Sequence, residues 1–186
     1  FIAVYMMVLY RLPGVVAVIA LIGQITGSIA FVTGWFGFMN GSTLTIPGIA
    51  GIILAVGMGV DANIITGERI KEELKTGKSL DASIKIAYKR AFSAILDGNL
   101  TNVIIAVILM GAFGDPSSFF SKILNKTIFF AFGATAEGFV YSFGFTLLAG
   151  VILNFVMGVF AARLMVTSLS KFNCFKNRKL YGGDVK

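Results

Sequence analysis

The sequence GMGVDANIITGER, residues 57–69, places one carboxylate, Asp61, inside an otherwise apolar stretch. No charged residue lies between Ile46 and Val60. On a helix, which rises about 1.5 Å per residue, Asp61 lies roughly 10 Å before Glu68, where the charged residues begin. A carboxylate in membrane hydrocarbon costs at least about 2.5–3.5 kcal/mol and therefore indicates a functional site. We predict that Asp61 is a functional residue in a membrane-spanning helix, rather than a purely structural hydrogen-bonding group.

The composition is typical of an integral membrane protein. Of the 186 residues, 56% are hydrophobic and 13% are charged, whereas soluble domains carry about 25% charged residues. The chain begins at Phe1 within an apolar run, from which we expect a truncated helix and a longer parent protein. With Cys174 as its one cysteine and no histidine, the sequence excludes a disulfide framework, a zinc site and a Cys/His catalytic pair within this chain. We predict no metal, no cofactor and no enzymatic activity.

Apolar runs predict an all-α integral membrane protein with a five-helix transmembrane bundle in residues 1–166. A truncated helix ends near Tyr10, where Pro13 and Gly14 mark a turn. Each further run is long enough to cross about 30 Å of hydrocarbon. These runs are residues 15–36, 47–66, 94–113 and 138–162. Residues 167–186 are predicted to form a basic tail.

The second apolar run contains a pair of glycines at helix-packing spacing. Gly23 and Gly27 are four residues apart, the GxxxG spacing that lets two membrane helices approach closely. We favour generic helix packing over a dedicated dimer face.

Residues 68–92 are predicted to be an amphipathic segment in the cytoplasm. Arg69 and Glu73 stand four apart and can pair on one helix face. Gly77 is typical of a helix end, and Ser79 of the next N-cap. From Ser79 onward, apolar residues fall on one helical face and mainly basic residues on another, which is typical of a helix lying on a membrane surface. The alternative is a face whose charges are merely solvated.

The run from residue 94 carries a second group of polar residues. Asp97 and Thr101 share one face at four-residue spacing. Because Asp97 lies near the predicted start of this run, a helix-capping role is an equal alternative to a functional one. Asn99 and Thr101 are candidates to hydrogen-bond near Asp61 or to hold water, with simple helix–helix contact as the alternative. Asn63 lies about 200° around its helix from Asp61, so the two side chains cannot face one partner squarely.

The distribution of basic residues predicts the orientation. All of the 16 Lys and Arg residues except Lys122 and Lys126 are predicted to lie on one side of the membrane. The positive-inside rule therefore places residues 68–90 and the tail in the cytoplasm, and residues 114–137 outside. This topology, together with anionic lipid, accounts for the net charge of +7 without nucleic acid. A role for the tail in binding RNA is the less favoured alternative.

Several blocks of the chain resemble the SecD/SecF family of protein-export membrane proteins, within the RND superfamily of proton-driven transporters. The stretch from Gly57 to Leu74 resembles the SecD signature, and its Glu68-Arg69 pair favours SecD over SecF. Matching blocks follow at residues 90–101 and precede it at 11–14 and 44–51. Two residues depart from the family pattern, since Gly67 replaces a bulky aromatic residue and Gly98 replaces an alanine.

The resemblance implies helices two to six of a six-helix unit in a bacterial or archaeal cytoplasmic membrane. It implies a role beside the SecYEG channel with SecF, where the proton motive force assists preprotein export. An outer domain upstream of this sequence would contact the preprotein. Within the predicted spans, Arg163 at one edge is the sole Lys or Arg, so Asp61 is either protonated or paired with a cation from another chain. The resemblance implies that SecF supplies charged residues within the membrane, which fits the second of these alternatives.

Two other functions are compatible with the sequence. An RND-type exporter of small molecules or lipids would use the same kind of proton site. A non-transporting scaffold would recruit partners and would not need Asp61. An intramembrane protease is disfavoured, because the sequence shows no second aspartate deep in a predicted span and no histidine.

Overall fold

The computed structural model describes residues 1–34, 45–113 and 138–182, and almost all of these residues are helical. The predicted outer segment, residues 114–137 with Lys122 and Lys126, lies outside the described residues. The helices are α1 (Ile2–Tyr10), α2 (Leu12–Val32), α3 (Ile46–Lys75), α4 (Leu80–Phe113), α5 (Gly138–Leu153) and α6 (Ala162–Lys171). A π-helical segment (Asn154–Ala161) joins α5 to α6, and two 3-10 turns follow (Asn173–Phe175 and Arg178–Tyr181).

Four helical stretches are long and apolar enough to cross a membrane. They are Leu12–Val32, Ile46–Lys75, Leu80–Gly111 and Val140–Lys171. The last of these runs continuously through α5, the π-helical segment and α6. The predicted class, an all-α integral membrane protein, is confirmed.

Two predicted helix boundaries are wrong and two are confirmed. The amphipathic segment and the run expected from residue 94 are one continuous helix, α4, and the last stretch continues past Arg163 to Lys171. The helix end predicted at Gly77 and the N-cap predicted at Ser79 are confirmed, because α3 ends at Lys75 and α4 begins at Leu80. Loss of apolar character marks the edge of the membrane, but it does not end a helix, because Lys, Glu and Arg are good helix formers.

The turn between α1 and α2 lies at Arg11, within the predicted break at residues 11–14, and α2 begins at Leu12 rather than at the expected Val15. Arg11 adopts a positive φ of 51°, and Pro13 lies in the first turn of α2, where proline is well tolerated. A Cβ atom on Gly14 would lie 2.1 Å from the carbonyl oxygen of Met6. Gly14 is therefore required for the close backbone approach of α1 and α2.

The chain forms two compact units, and α2, α3 and α4 each supply residues to both. Unit 1 comprises Phe1–Gln24, Met58–Asp97 and Asn154–Lys186, and unit 2 comprises Ile25–Gly57 and Gly98–Leu153. The core of unit 2 includes Val32, Ile52, Met110 and Phe145. A hydrogen bond of 2.8 Å from the hydroxyl of Thr45 to that of Ser142 adds to the packing of unit 2.

Unit 1 has an apolar core that includes residues of the predicted tail. Tyr181 is 1% exposed and packs in the same cluster as Ile70, Tyr88 and Val166. Arg11 donates a hydrogen bond of 2.6 Å to the carbonyl oxygen of Lys179. Burial, with a smaller contribution from the charge of Asp81, raises the pKa of Tyr181 to about 12. The described part of the tail, up to residue 182, is therefore folded onto unit 1.

The paired glycines of α2 make room for other side chains of this chain. A Cβ atom on Gly23 would lie 2.2 Å from Cε of Met157, within unit 1. A Cβ atom on Gly27 would lie 3.2 Å from Cδ2 of Leu153, within unit 2. Both contacts support the interpretation of generic helix packing.

Candidate functional site

Asp61 lies on the exposed side of α3. Its neighbours Val60 and Ala62 are buried, and Ala62 packs in a cluster with Ile95 and Val159 of unit 1. Among the described residues, Asp61 has no hydrogen-bond or ion-pair partner. Its carboxylate therefore projects from unit 1 rather than completing a structural hydrogen bond there.

Asp97 is also exposed in unit 1. Its position in α4 rules out the alternative that it caps the helix. Helix α4 begins at Leu80, so Asp97 lies more than about four turns from the helix N-terminus. The dipole effect is confined to the first turn and cannot account for a carboxylate at this depth. Thr101, one turn further on, is exposed as well. We term Asp61 and Asp97 the acidic face of unit 1.

The acidic face can exchange protons or meet a cation, and it offers little to a metal ion. Two carboxylates supply fewer ligands than a closed metal site requires. Within residues 1–34, 45–113 and 138–182, no group of three or more His, Cys, Asp or Glu side chains could hold a metal.

The two predicted asparagines are buried, unlike the aspartates. Asn63 is 8% exposed, and its Nδ2 donates a hydrogen bond of 2.8 Å to the carbonyl oxygen of Gly59. Asn99, in unit 2, is 5% exposed. That Asn99 and Thr101 assist Asp61 stays a prediction.

Two further buried amides were missed by the sequence analysis. Gln24 and Asn154 are both 0% exposed. A Cβ atom on Gly59 would lie 2.1 Å from Oε1 of Gln24, and one on Gly158 would lie 2.5 Å from Oδ1 of Asn154 and 3.8 Å from Nδ2 of Asn63. Both glycines thus make room for an amide. We term Gln24, Asn63 and Asn154 the amide core. Gln24 and Asn154 are polar residues within apolar runs, and this is the sequence signal by which they could have been predicted.

The π-helical segment begins at Asn154 and includes Gly158. Neither amide atom of Asn154 has a hydrogen-bond partner among the described residues. π-helical turns are rare and are frequent at functional sites. One member of the amide core therefore lies where the backbone departs from α-helical geometry, and apolar periodicity gives no signal of that departure.

The charged end of α3 is paired differently from the prediction. Nη1 of Arg69 lies 2.7 Å from Oε2 of Glu72, so the predicted pair of Arg69 with Glu73 is wrong. The side chain of Glu73 is 2% exposed and forms ion pairs with Lys78 and with Arg90 of α4. Glu73 faces the interior of unit 1, where Lys78 and Arg90 contact it. Arg69 is half-exposed and does not contact Glu73.

Glu68, the other member of the predicted cytoplasmic signature, remains exposed and pairs locally. Its Oε1 lies 3.1 Å from Nζ of Lys71. The same ammonium group lies 4.2 Å above the ring of Tyr10. A Cβ atom on Gly67 would lie 2.5 Å from Cδ1 of Tyr10. Tyr10 thus occupies the space beside Gly67, which is compatible with glycine replacing the family's aromatic residue.

The fold and the acidic residues within its apolar helices define a multi-pass membrane protein, and comparison with known proteins gives its family. Residues 1–113 match the model of the MMPL family, and the chain belongs to that family. It is 36% identical over 182 residues to protein translocase subunit SecD of Leptotrichia buccalis, covering 97% of this chain and 38% of that protein. It is 37% identical over 182 residues to protein translocase subunit SecDF of Bacillus subtilis, covering 98% and 21%.

A solved structure agrees with these relatives. The crystal structure of SecDF in its super-membrane-facing form matches with a TM-score of 0.63 and 26% identity, covering 100% of this chain and 20% of that one. The resemblance to the SecD/SecF family is therefore confirmed. The chain spans 38% of the Leptotrichia relative and 21% of the Bacillus relative, well under two thirds of either.

Proposed function

We propose that this chain is the membrane part of a SecD-type subunit that assists preprotein export, with Asp61 as its proton-coupling residue. The observation that carries the proposal is the exposure of Asp61 in an apolar part of α3. The similarity to SecD and SecDF subunits supports the role in translocation. The position of the carboxylate supports the use of the proton motive force.

An exposed carboxylate in a membrane span has two low-energy states. Facing hydrocarbon, it is stable when protonated, because the charged form costs at least about 2.5–3.5 kcal/mol. Facing a cation, it is stable when ionised, because an opposite charge within about 4–6 Å favours the charged form. A partner helix that brings a cation and then withdraws it would convert one state into the other. Asp61 would take up and release one proton in each cycle.

SecF is the partner that we propose for this cation, with SecYEG as the channel and anionic lipid around the cytoplasmic surface. Preprotein would be contacted by a part of the protein outside this sequence. Asp97 and Thr101 are exposed on α4 and would assist proton transfer, whereas Asn63 would stabilise α3. No step of this mechanism is an enzymatic reaction.

We propose a bacterial or archaeal cytoplasmic membrane location, with residues 68–90 and the tail in the cytoplasm. Single cysteines introduced at Lys78 and at Ser118, in a Cys174→Ser background, test this orientation. A membrane-impermeant thiol reagent added outside should label Ser118→Cys and leave Lys78→Cys unlabelled. The reverse pattern would show that the orientation is inverted.

An RND-type exporter of small molecules or lipids is the second candidate function. It uses the same feature, a carboxylate within a span, but it would couple the proton to a small substrate. The experiment on Asp61 therefore measures preprotein translocation directly, because proton flux alone does not distinguish the two functions.

The decisive experiment replaces Asp61 by Asn in the full-length protein, assembled with its partners. Asn is close to Asp in size and is cheaper to bury, but it cannot bind and release a proton. Gradient-driven translocation and proton flux should both be lost, while assembly and thermal stability are unchanged. Glu72→Gln on the same helix is the matched control, because Glu72 makes an exposed ion pair that contributes at most about 1 kcal/mol. Wild-type translocation by a well-assembled Asp61→Asn variant would leave the scaffold function as the better explanation.

A further inference from the structure

Unit 1 contains two adjoining cavities, and neither Asp61 nor Asp97 lines them. Their volumes are about 450 and 520 Å³, and both are lined by Phe160 and Arg163. Helix α4 contributes one wall, and the π-helical segment with α6 contributes the other. We term the two cavities together the basic groove.

The charged residues of the basic groove are concentrated in one of its two cavities. That cavity is lined by Asp81, Lys85, Arg163 and Lys171 together with apolar residues such as Ile84 and Leu164. The other cavity is lined by Phe92, Phe155, Val156, Val159 and Phe160, with Arg163 as its one charged residue. On α4, the change from charged to apolar residues runs from Lys85 to Phe92, and on the opposite wall it runs from Arg163 back to Phe155. At about 1.5 Å per residue, each of these two intervals is roughly 10 Å long. Both walls thus become apolar over the same distance, away from the proposed cytoplasmic end.

The cations of the groove have no counter-ion in the described part of the chain. Lys85, Arg163 and Lys171 are exposed and form no ion pair there, whereas Lys71, Lys78 and Arg90 of unit 1 are paired with glutamates. Asp81 is the one carboxylate that lines the groove, and Oγ of Ser170 lies 3.4 Å from its Oδ1. Three cations against one carboxylate leave the charged cavity with an excess of positive charge.

We propose that the basic groove binds one anionic phospholipid. The phosphate group lies against Arg163, Lys171 and Lys85, and an acyl chain follows the apolar cavity past Phe92 and Val156. The proposal rests on the membrane orientation given above, and it gives anionic lipid a defined site on this chain. Basic pockets between membrane helices on the cytoplasmic side bind anionic head groups.

Charge and shape together favour a lipid over two other occupants. A soluble phosphate would neutralise the cations but would leave unfilled the aromatic cavity, where the ring centroids of Phe92 and Phe155 lie 6.4 Å apart in an edge-to-face arrangement. An apolar helix of another protein would fill that cavity but would leave the cations without counter-ions. A phospholipid satisfies both halves, because its head group and acyl chains follow the same change from charged to apolar.

The test is a fluorescence experiment on the full-length protein in bilayers. Phe160→Trp, in a background in which Trp35 and any tryptophan outside this sequence are replaced by Phe, places one reporter at the junction of the two cavities. Brominated phosphatidylglycerol should quench this tryptophan with a relative binding constant at least about fivefold above that of brominated phosphatidylcholine, since each basic residue contributes about that factor. Adding Arg163→Gln or Lys171→Gln should remove about fivefold. Lys89→Gln is the control, because Lys89 is exposed on α4 but does not line the groove.

A second pair of variants tests the apolar half. Val156 and Ile152 are both 51% exposed, but only Val156 lines the groove. Val156→Phe should lower phosphatidylglycerol binding several-fold, and Ile152→Phe should leave it unchanged.

Three results would overturn the proposal. Equal quenching by the two lipids would show that the groove has no anionic selectivity. Full competition by soluble glycerol phosphate would indicate a phosphate site without a bound chain. Protection of the tryptophan from every brominated lipid in the assembled complex would show that a protein partner covers the groove. None of these results depends on Asp61, so they are distinguishable from failure of the proton-coupling function.

Discussion

The acidic face and the amide core both belong to unit 1, but their polar side chains differ in burial. The amides of Gln24, Asn63 and Asn154 are enclosed by the protein. The carboxylates of Asp61 and Asp97 are exposed. A neutral amide can be satisfied by backbone carbonyls of its own chain, as Asn63 is by Gly59. A carboxylate in hydrocarbon needs a proton or a cation, so its exposure leaves it available to another molecule.

The largest effect should come from moving a carboxylate into the amide core. Asn63→Asp loses the hydrogen bond to Gly59 and places an unpaired charge opposite a carbonyl oxygen. We expect the free energy of unfolding to fall by about 3–5 kcal/mol, the cost of an uncompensated buried charge. Thermal unfolding in detergent micelles measures this. Asp61→Asn is the matched control and should change stability by less than about 0.5 kcal/mol, because Asp61 is exposed. Equal stability of the two variants would remove the distinction between core and face.

A smaller effect should follow from adding one methyl group. Gly158→Ala places Cβ 2.5 Å from Oδ1 of the buried Asn154 and should cost about 1–3 kcal/mol by overpacking. Gly98→Ala should cost nothing, because no atom lies within 4 Å of its Cβ position and alanine is the better helix former. In an Asn154→Ala background, the penalty of Gly158→Ala should disappear. A penalty that persists there would show that Gly158 is needed for a reason other than the amide.

The smallest effect concerns Asp97. Because Asp97 is exposed and far from the N-terminus of α4, Asp97→Asn should change the free energy of unfolding by less than about 0.5 kcal/mol. Ser79→Ala is the comparison at the true start of α4, where Oγ of Ser79 lies 3.4 Å from the backbone nitrogen of Ala82. Loss of an N-cap costs about 1 kcal/mol. If Asp97→Asn were the more destabilising of the two, Asp97 would have a structural role that its exposure does not explain.

Sequence reasoning located the membrane helices better than their ends. Apolar content detects hydrocarbon, and it identified the four long spans found among the described residues. The N-cap at Ser79 was predicted correctly, but the run from residue 94 was taken for a separate helix, although it continues the helix that begins at Leu80. That error in turn made Asp97 look like a capping residue. Ion pairing was also missed, because spacing favours Arg69 with Glu73, while burial selects Lys78 and Arg90.

The sequence by itself determined the all-α membrane class, the family resemblance and the placement of Asp61 within an apolar run, because composition and local order carry that information. Only the tertiary structure decided which polar groups face inward. Gln24 and Asn154 are as polar in the sequence as Thr101, yet packing against glycines encloses both amides and leaves Thr101 exposed. The physical reason is that burial depends on which helices meet and how closely, and residues distant in sequence set that distance.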